Sequence, residues 1–253
     1  MHHWSWFYLL PGIADGSNPL FTFSGEAGKA GAHTLPAAWL VFFLLTAMSL
    51  VVRRGIVSAR AQGGTLQYVP NSKFGARNIM ELLIGGLLNL FETVFGDRKN
   101  AERYFPLIGT LFLYILVSNL MGVIPGFLPP TSDMSTNLAM ALVVFLVFNI
   151  AGILANGLGY FKHLMGPLLA IAPMIFLLEV VGLFVRPASL SLRLLGNMTG
   201  DHLVLGIFSS LAPYVVPAIF LFLGIFVSFI QALVFSLLSV VYVALAVAHH
   251  DDH

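Results

Sequence analysis

The sequence predicts an all-helical (all-α) membrane protein. We expect about five membrane-embedded helices and one in-plane amphipathic helix, with the last two membrane helices forming a long tilted hairpin. Hydrophobic residues make up 58% of the 253 residues and charged residues only 9%, whereas soluble domains contain roughly 25% charged residues. The mean hydropathy is +0.91, and apolar runs near the roughly 20 residues that cross a bilayer recur along the chain. An ordinary soluble domain is therefore excluded.

The apolar runs divide the chain into an N-terminal segment, residues 1–35, and a membrane domain, residues 36–253. The predicted spans are residues 36–52, 105–125 and 137–159, followed by a long helix over 167–211 and a second long helix over 217–248. At 1.5 Å per residue, 167–211 is too long for one upright crossing of a core about 30 Å thick. This segment must therefore tilt, bend or begin outside the core, and Pro173 and Pro187 are places where it could bend.

Most charged residues lie between the first two spans, in a predicted cytoplasmic segment over residues 54–104. Within it, residues 78–95 place apolar side chains at helical spacing, interrupted by two glutamates and an asparagine. This pattern predicts an amphipathic helix lying in the membrane plane. The adjacent Gly85 and Gly86 leave a short re-entrant segment open as an alternative.

The basic residues predict the orientation of the chain. Nine of the twelve Lys and Arg residues flank the same ends of the first three spans, and the positive-inside rule places these ends in the cytoplasm. With five crossings, residues 1–35 are external and the C-terminus is cytoplasmic. The first 34 residues lack the basic start and long apolar stretch of a signal peptide, so no cleavage is expected.

Arg193 lies within the fourth span, where a charged side chain near the bilayer centre costs about 2.5–3.5 kcal/mol on insertion scales. Because a guanidinium does not lose its proton, we expect Arg193 to have a partner, such as Glu179, or to face a wet cavity. For Arg186, which lies nearer the cytoplasmic end, we expect a structural ion pair or a side chain that extends to the interface.

The predicted hairpin also brings polar residues together around Arg193. If its turn is centred near Ala212, Arg193 and Gln231 are equally far from the turn and should lie level. Ser228, Ser239 and Tyr242 share the helix face of Gln231.

Titratable residues occur on both sides of Arg193 along its own helix. Asn197 is one turn away, and Glu179 lies about four turns before Arg193, close to the same face. The predicted orientation places Asp201 and His202 outward of Arg193 and Glu179 inward of it. A fixed positive charge is thus flanked by groups that can bind and release protons.

A fixed cation in such a path prevents a leak of H⁺ or Na⁺, which would dissipate about 2.3 kcal/mol per charge per 100 mV. It would also attract a carboxylate on a neighbouring subunit and favour its ionised form. An ion could then cross only by binding a mobile carboxylate on one side and leaving it on the other.

The arginine block "SLSLRLLGNM" (189–198) closely resembles the signature of the subunit a family of F-type (F1Fo) ATP synthases, the stator proteins that face the rotating c-ring. The other segments that resemble this family are "SNLMGVIPG" (118–126), "PTSDMSTNLAMAL" (130–142), "LLEVVGLFVRPASLSLRL" (177–194) and "QALVFSLLSVVYVALA" (231–246). Together these segments cover most of residues 78–247.

The resemblance implies specific roles for residues of this sequence. Arg193 matches the essential arginine that interacts with the ring carboxylate, and Asn197 and Gln231 match polar residues beside it. Glu179 matches a residue of the cytoplasmic-side half-channel, and His202 occupies the position of a glutamate or histidine in the outward-side half-channel.

The resemblance also implies a function and partners. The chain is expected to be the stator ion-channel subunit that provides two half-channels and couples the proton gradient to ring rotation and ATP synthesis. Its expected partners are the c-subunit ring, the peripheral-stalk b subunits, the other ATP synthase subunits and the lipid bilayer, and its expected location is the bacterial inner membrane.

Asp201 departs from the family pattern, in which small residues usually stand just before the glutamate or histidine. This carboxylate either shares the relay with His202 or only tunes it. Position 224 is glycine, whereas relatives often carry a titratable residue there. For Asp133, in a loop, we expect helix capping.

Several kinds of chemistry are not expected of this chain. It has no phosphate-binding loop and should not itself bind or hydrolyse ATP. Its terminal histidines lack the spacing of a metal site, no cofactor is expected, and a net charge of +1 gives no basis for nucleic-acid binding. A secondary ion-coupled transporter is an alternative function, although no second copy of the arginine block occurs. A Na⁺-translocating form of the same subunit also remains open.

Overall fold

The computed structural model describes residues 6–9, 34–61, 75–124, 126–157, 172–211 and 215–248. Helices dominate these residues, and no strand occurs among them. The six long helices are α1 (Thr34–Ala61), α2 (Ala76–Phe95), α3 (Arg98–Val123), α4 (Met134–Asn156), α5 (Ala172–Leu211) and α6 (Val215–Val247), and the two short 3-10 helices are Trp6–Leu9 and Pro130–Ser132. The predicted all-helical fold class is confirmed.

Two side-chain hydrogen bonds mark opposite ends of the helix bundle. At one end, Thr34 Oγ1 donates to Asp133 Oδ2 at 3.2 Å and joins the starts of α1 and α4. At the other, Asn156 Nδ2 donates to the carbonyl of Ala246 at 3.0 Å, where α4 and α6 end. We call these the Thr34 end and the Asn156 end.

The core is built from large apolar side chains that every helix from α2 to α6 contributes. Its largest fully buried members are Phe91, Ile108, Phe112, Ile115, Val144, Phe148, Leu190, Leu194, Phe235 and Val240. The outward faces are also apolar: Phe222 of α6 is 76% exposed and Leu154 of α4 is 74% exposed. A helix bundle that is apolar on both faces is suited to lipid rather than water.

α2 has three different faces. One buries Leu87 and Phe91 against α3. A second exposes Ile79, Leu82 and Leu90, and a third carries the polar residues Asn78, Glu81, Asn89 and Glu92. The predicted apolar stripe over residues 78–95 is thus divided between a core-facing face and an exposed flank.

Both ends of α2 lie near the Asn156 end of the bundle. The side chain of Arg77 lies 3.8 Å from the position of a side chain added at Gly55, in the last two turns of α1. The ring of Phe95 stacks on that of Tyr104, in the first two turns of α3, with centroids 5.7 Å apart. These contacts favour a helix that crosses the bundle end. Among the described residues, six helices, including Arg77–Phe95, are long and apolar enough to span a membrane, so the in-plane placement of α2 stays a prediction.

α5 and α6 form the predicted antiparallel hairpin, but its register differs from the expected one. The contacting pairs are Phe208 with Phe220, Asn197 with Gln231, and Arg186 with Tyr242. Each pair is centred on position 214, two residues beyond the expected centre at Ala212. A shift of the centre by two residues moves each residue's partner by four, which is about one helical turn. Arg193 is therefore not level with Gln231.

The helices extend beyond several predicted spans. α1 continues through Arg53 and Arg54 to Ala61, because charged side chains end an apolar run without ending a helix. α3 starts at Arg98, where the Asp97 side chain caps it by accepting from the Lys99 amide at 3.1 Å. α5 runs for 40 residues and includes Pro187 without a break. Residues 167–171 of the predicted fourth span lie outside the described residues.

Candidate functional site

Three charged residues, Glu179, Arg186 and Arg193, follow each other on α5 at intervals of seven residues. Seven residues are close to two helical turns, so the three side chains lie on one face and about 10 Å apart along the axis. The structure brings the first two together: Arg186 Nη2 donates to Glu179 Oε1 at 3.5 Å. The ion pair expected for Arg186 is confirmed.

Arg193 has no ion-pair or hydrogen-bond partner within the described part of the chain, and its side chain is exposed on the outer side of α5. Glu179, an expected partner, contacts Arg186 instead because it lies one heptad from Arg186 and two from Arg193. An unpaired cation in an apolar environment requires a partner or water. Within the described residues, the guanidinium of Arg193 is thus left open to water or to a partner from outside this chain.

Asn197 and Gln231 form the polar contact between α5 and α6. Asn197 Nδ2 donates to Gln231 Oε1 at 2.5 Å. Gln231 is only 4% exposed, and its Nε2 atom has no hydrogen-bond partner among the described residues. Gln231 therefore contacts Asn197 and not Arg193. Arg193 lies one turn nearer the N-terminus of α5 than the position level with Gln231, where the sequence predicts it.

A small cavity lies between α3, α5 and α6, toward the Thr34 end, and its lining combines apolar residues with a few polar side chains. It has a volume of about 30 Å³, and its lining includes Asn119, Asp201 and Ser228. A second cavity of about 10 Å³ shares these three residues and reaches Asn197 and Gln231. Because one buried water needs roughly 10–15 Å³ and two or more polar partners, these cavities have the size and lining for a few waters. Asp201 thus lines a polar space that leads to Asn197.

Asn119 links this cavity to a buried polar network at the start of α4. Its Oδ1 atom accepts from Thr131 Oγ1 at 2.7 Å, and Asn137 Nδ2 donates to the carbonyl of Thr131 at 2.9 Å. All three side chains are buried. Asn119 is not among the site residues predicted from the sequence. The signal that points to it is an asparagine in the apolar segment "SNLMG", where a polar group needs a partner.

Two predictions about individual residues have different outcomes. Asp133 caps α4, since its side chain accepts from the Ser135 amide at 3.2 Å, so the predicted capping role is confirmed. His202 is part of helix α5, but its side chain lies outside the described residues. Among the residues that the structure describes, no cluster of three or more His, Cys, Asp or Glu suits a metal ion.

Comparison with known proteins identifies the family. The family model described as ATP synthase A chain matches residues 35–244. The chain belongs to the ATP synthase A chain family. It is 45% identical to ATP synthase subunit a of Geobacter sulfurreducens over 215 residues, which are 85% of this chain and 87% of that protein. It is 44% identical to the subunit a proteins of Geotalea uraniireducens and Trichlorobacter lovleyi, again over 85% of this chain and over 87% and 86% of theirs.

Membership of the ATP synthase A chain family confirms the resemblance first seen in the arginine block. It identifies the chain as a component of the ATP synthase complex, namely the stator proton-channel subunit of the membrane sector, and does not favour a secondary transporter. Six helices long and apolar enough to cross a membrane agree with a multi-pass membrane protein of this family.

Proposed function

We propose that Arg193 is the charge barrier between two half-channels, through which this subunit passes protons to and from a carboxylate on a neighbouring ring of c subunits. The observation that carries this proposal is that Arg193 is exposed on α5 with no partner in the described chain. A charge in the bilayer without a partner is costly. A carboxylate on the ring supplies the partner that the exposed guanidinium of Arg193 lacks.

The outward half-channel uses the cavity that Asp201 lines. Along α5, Asp201 is eight residues from Arg193, which corresponds to about 12 Å. The carboxylate faces a space for water together with Asn119 and Ser228. A proton from the external side binds within this polar space before it is passed to the ring carboxylate, and the contact between Asn197 and Gln231 extends the polar lining toward Arg193.

The inward half-channel ends at Glu179, fourteen residues from Arg193 on the other side, or about 21 Å along the helix. The Glu179 side chain is 43% exposed. A proton leaving the ring carboxylate after rotation binds to Glu179 and is released to cytoplasmic water. Because Arg193 lies between the two polar regions, no proton passes directly from one to the other.

The finer assignments of partners and location belong to the same proposal. The exposed α5 face contacts the c-ring, and the peripheral-stalk b subunits hold the chain against rotation. The chain lies in the bacterial inner membrane, with the Thr34 end external and the Asn156 end cytoplasmic, following its basic residues. It does not catalyse ATP chemistry by itself, since its sequence has no phosphate-binding loop.

The test is ATP-driven proton pumping and ATP synthesis in membranes that carry Arg193→Ala, with the amount of assembled complex measured by pull-down. We expect normal assembly and loss of both coupled activities. Assembled complex with near wild-type coupling would contradict the proposed role of Arg193. Pumping in the presence and absence of Na⁺ identifies the transported ion, because only a Na⁺-translocating form would require Na⁺.

The two outward candidates are compared with Asp201→Asn and His202→Gln. If Asp201 shares the relay, Asp201→Asn lowers proton pumping about tenfold or more, in the range of a lost proton-transfer group. If Asp201 only tunes His202, the loss appears in His202→Gln and Asp201→Asn retains most of the activity. The cavity lining favours a direct role for Asp201.

A further inference from the structure

The guanidinium of Arg186 lies against aromatic rings from two other helices, and the two rings also contact each other. It lies 5.8 Å from the ring centroid of Phe148 on α4 and 5.5 Å from that of Tyr242 on α6. A cation within about 6 Å of an aromatic face is attracted to it, and more strongly where water is excluded. Because Phe148 is fully buried, at least one of the rings has a fixed position. Arg186 is thus positioned by contacts that do not involve Glu179.

Glu179 is held much less firmly than Arg186. Among the described residues, its polar contact is with Arg186 Nη2 at 3.5 Å. The Glu179 side chain is 43% exposed, whereas that of Arg186 is 29% exposed. An ion pair this long and this exposed contributes little by itself. The arrangement therefore combines a fixed cation with a carboxylate that is free to leave it and return.

We propose that Arg186 is a positioning residue of the inward half-channel, which holds the Glu179 carboxylate where it exchanges protons with the ring and with cytoplasmic water. This inference rests on the proposed role of Glu179. The proton binds to and leaves a carboxylate oxygen of Glu179, and Arg186 keeps its own proton throughout because a guanidinium stays charged. The rings of Phe148 and Tyr242 keep the cation in place while the carboxylate is neutral and the ion pair is broken.

The first experiment compares Tyr242→Phe with Tyr242→Leu, because only the second removes the ring beneath the guanidinium. Tyr242 is partly buried, so neither change empties the centre of the core. ATP-driven proton pumping is measured per assembled complex. We expect Tyr242→Phe to pump at near wild-type rates and Tyr242→Leu to lose about two- to fivefold, the range of one cation–π contact. Equal rates for the two variants would overturn the role of the ring.

The second experiment asks whether Arg186 acts through Glu179. Arg186→Gln, Glu179→Asp and the double variant form a cycle, in which the shorter aspartate keeps a carboxylate but withdraws it from Arg186. If Arg186 positions Glu179, Arg186→Gln lowers pumping in the wild-type background and has little further effect beside Glu179→Asp. Independent losses that multiply would overturn the inference. Arg186→Lys, which keeps the charge without the planar group, should recover part of the activity.

A separate variant distinguishes failure of this inference from failure of the proposed function. Glu179→Gln removes the titratable group itself. If Glu179→Gln pumps normally, the inward role of Glu179 is wrong and the inference about Arg186 is wrong with it. If Glu179→Gln is impaired while Arg186→Gln pumps normally, the half-channel assignment holds and only the positioning role is rejected.

Discussion

Gly122 and Gly224 line the same cavity but leave very different amounts of space for a side chain. A Cβ atom at Gly122 would overlap Met198 Cε and lie 3.0 Å from Pro129 Cγ. A Cβ atom at Gly224 would meet only Val123 Cγ2, at an ordinary 3.7 Å. A side chain at the first position thus displaces its neighbours, whereas one at the second fits without displacement.

This contrast predicts that Gly122→Ala impairs proton flow and Gly224→Ala does not. With alanine at 122, Met198 has to move, and the space that it lines is the cavity beside Asp201. We expect a stability cost of about 1–3 kcal/mol, typical of overpacking, and slower pumping per complex. Gly224→Ala, inside α6, should be neutral or stabilising by up to about 1 kcal/mol. Thermal unfolding of the purified complex and pumping in vesicles measure both effects, and equal behaviour of the two variants would contradict the packing argument.

At the scale of the elements, the decisive feature is the register of the α5 and α6 hairpin. Three contacts over most of its length share one centre at position 214, so the two helices keep a constant register from the turn to Tyr242. This register places Asn197, and not Arg193, beside Gln231. Arg193 lies about one turn from this contact, and its side chain is exposed.

Thiol cross-linking tests this register. Because the chain contains no cysteine, the two introduced thiols are the only thiols in it. Asn197→Cys combined with Gln231→Cys should be cross-linked efficiently by a short bifunctional thiol reagent. Arg193→Cys combined with Gln231→Cys should react much less, since position 193 lies one turn, or about 5.4 Å, further along the helix. More efficient cross-linking of the second pair would restore the register centred near Ala212.

At the scale of the whole molecule, the basic side chains are concentrated at the Asn156 end. α2 and the first turns of α3 supply Arg77, Arg98, Lys99 and Arg103 there, and Arg77 and Arg98 are paired with glutamates of the same region. At the Thr34 end, the described polar contacts are instead the hydrogen bond between Thr131 and Asn119 and the bonds that the Asp133 carboxylate accepts from Thr34 and the Ser135 amide. This asymmetry is the basis for placing the Asn156 end in the cytoplasm.

Labelling of single cysteines tests the orientation. Ser135→Cys at the Thr34 end and Lys99→Cys near the Asn156 end both replace exposed side chains. A membrane-impermeant maleimide should label Ser135→Cys in intact cells and Lys99→Cys only in inverted vesicles. The opposite pattern would reverse the orientation and exchange the inward and outward half-channels.

The sequence alone predicts most of the helices, because α1, α3, α4 and α6 contain apolar runs of the length that a bilayer requires and α2 has apolar side chains at helical spacing. It also distinguishes Arg193 from its neighbours, because a permanent charge inside an apolar run is costly unless it has a partner or water. The ion pair expected for Arg186 is present for the same reason, since a charge in an apolar segment is costly without a partner.

The sequence does not predict the details that depend on turns and on third helices. The expected centre of the hairpin, Ala212, is two residues too early, because it is the first residue of the gap between the predicted helices 167–211 and 217–248, whereas the contacts are centred on position 214, in the middle of that gap. The cavity around Asp201 was not foreseen, because Asn119 reaches it from α3 and only tertiary packing brings α3, α5 and α6 together. The contacts of Arg186 with the rings of Phe148 and Tyr242 likewise depend on helices distant in sequence.

Helix α5 is continuous, so it fixes the distances and angles between the residues along it. Glu179 and Asp201 are 22 residues apart on one continuous helix, so these two residues, proposed for the inward and outward half-channels, lie about 33 Å apart along its axis at a fixed relative angle. Inserting or deleting a single residue between them would rotate one of these two residues by about 100° around the helix axis relative to the other. Changes of residue type are thus far easier to accommodate in this stretch than any change of its length.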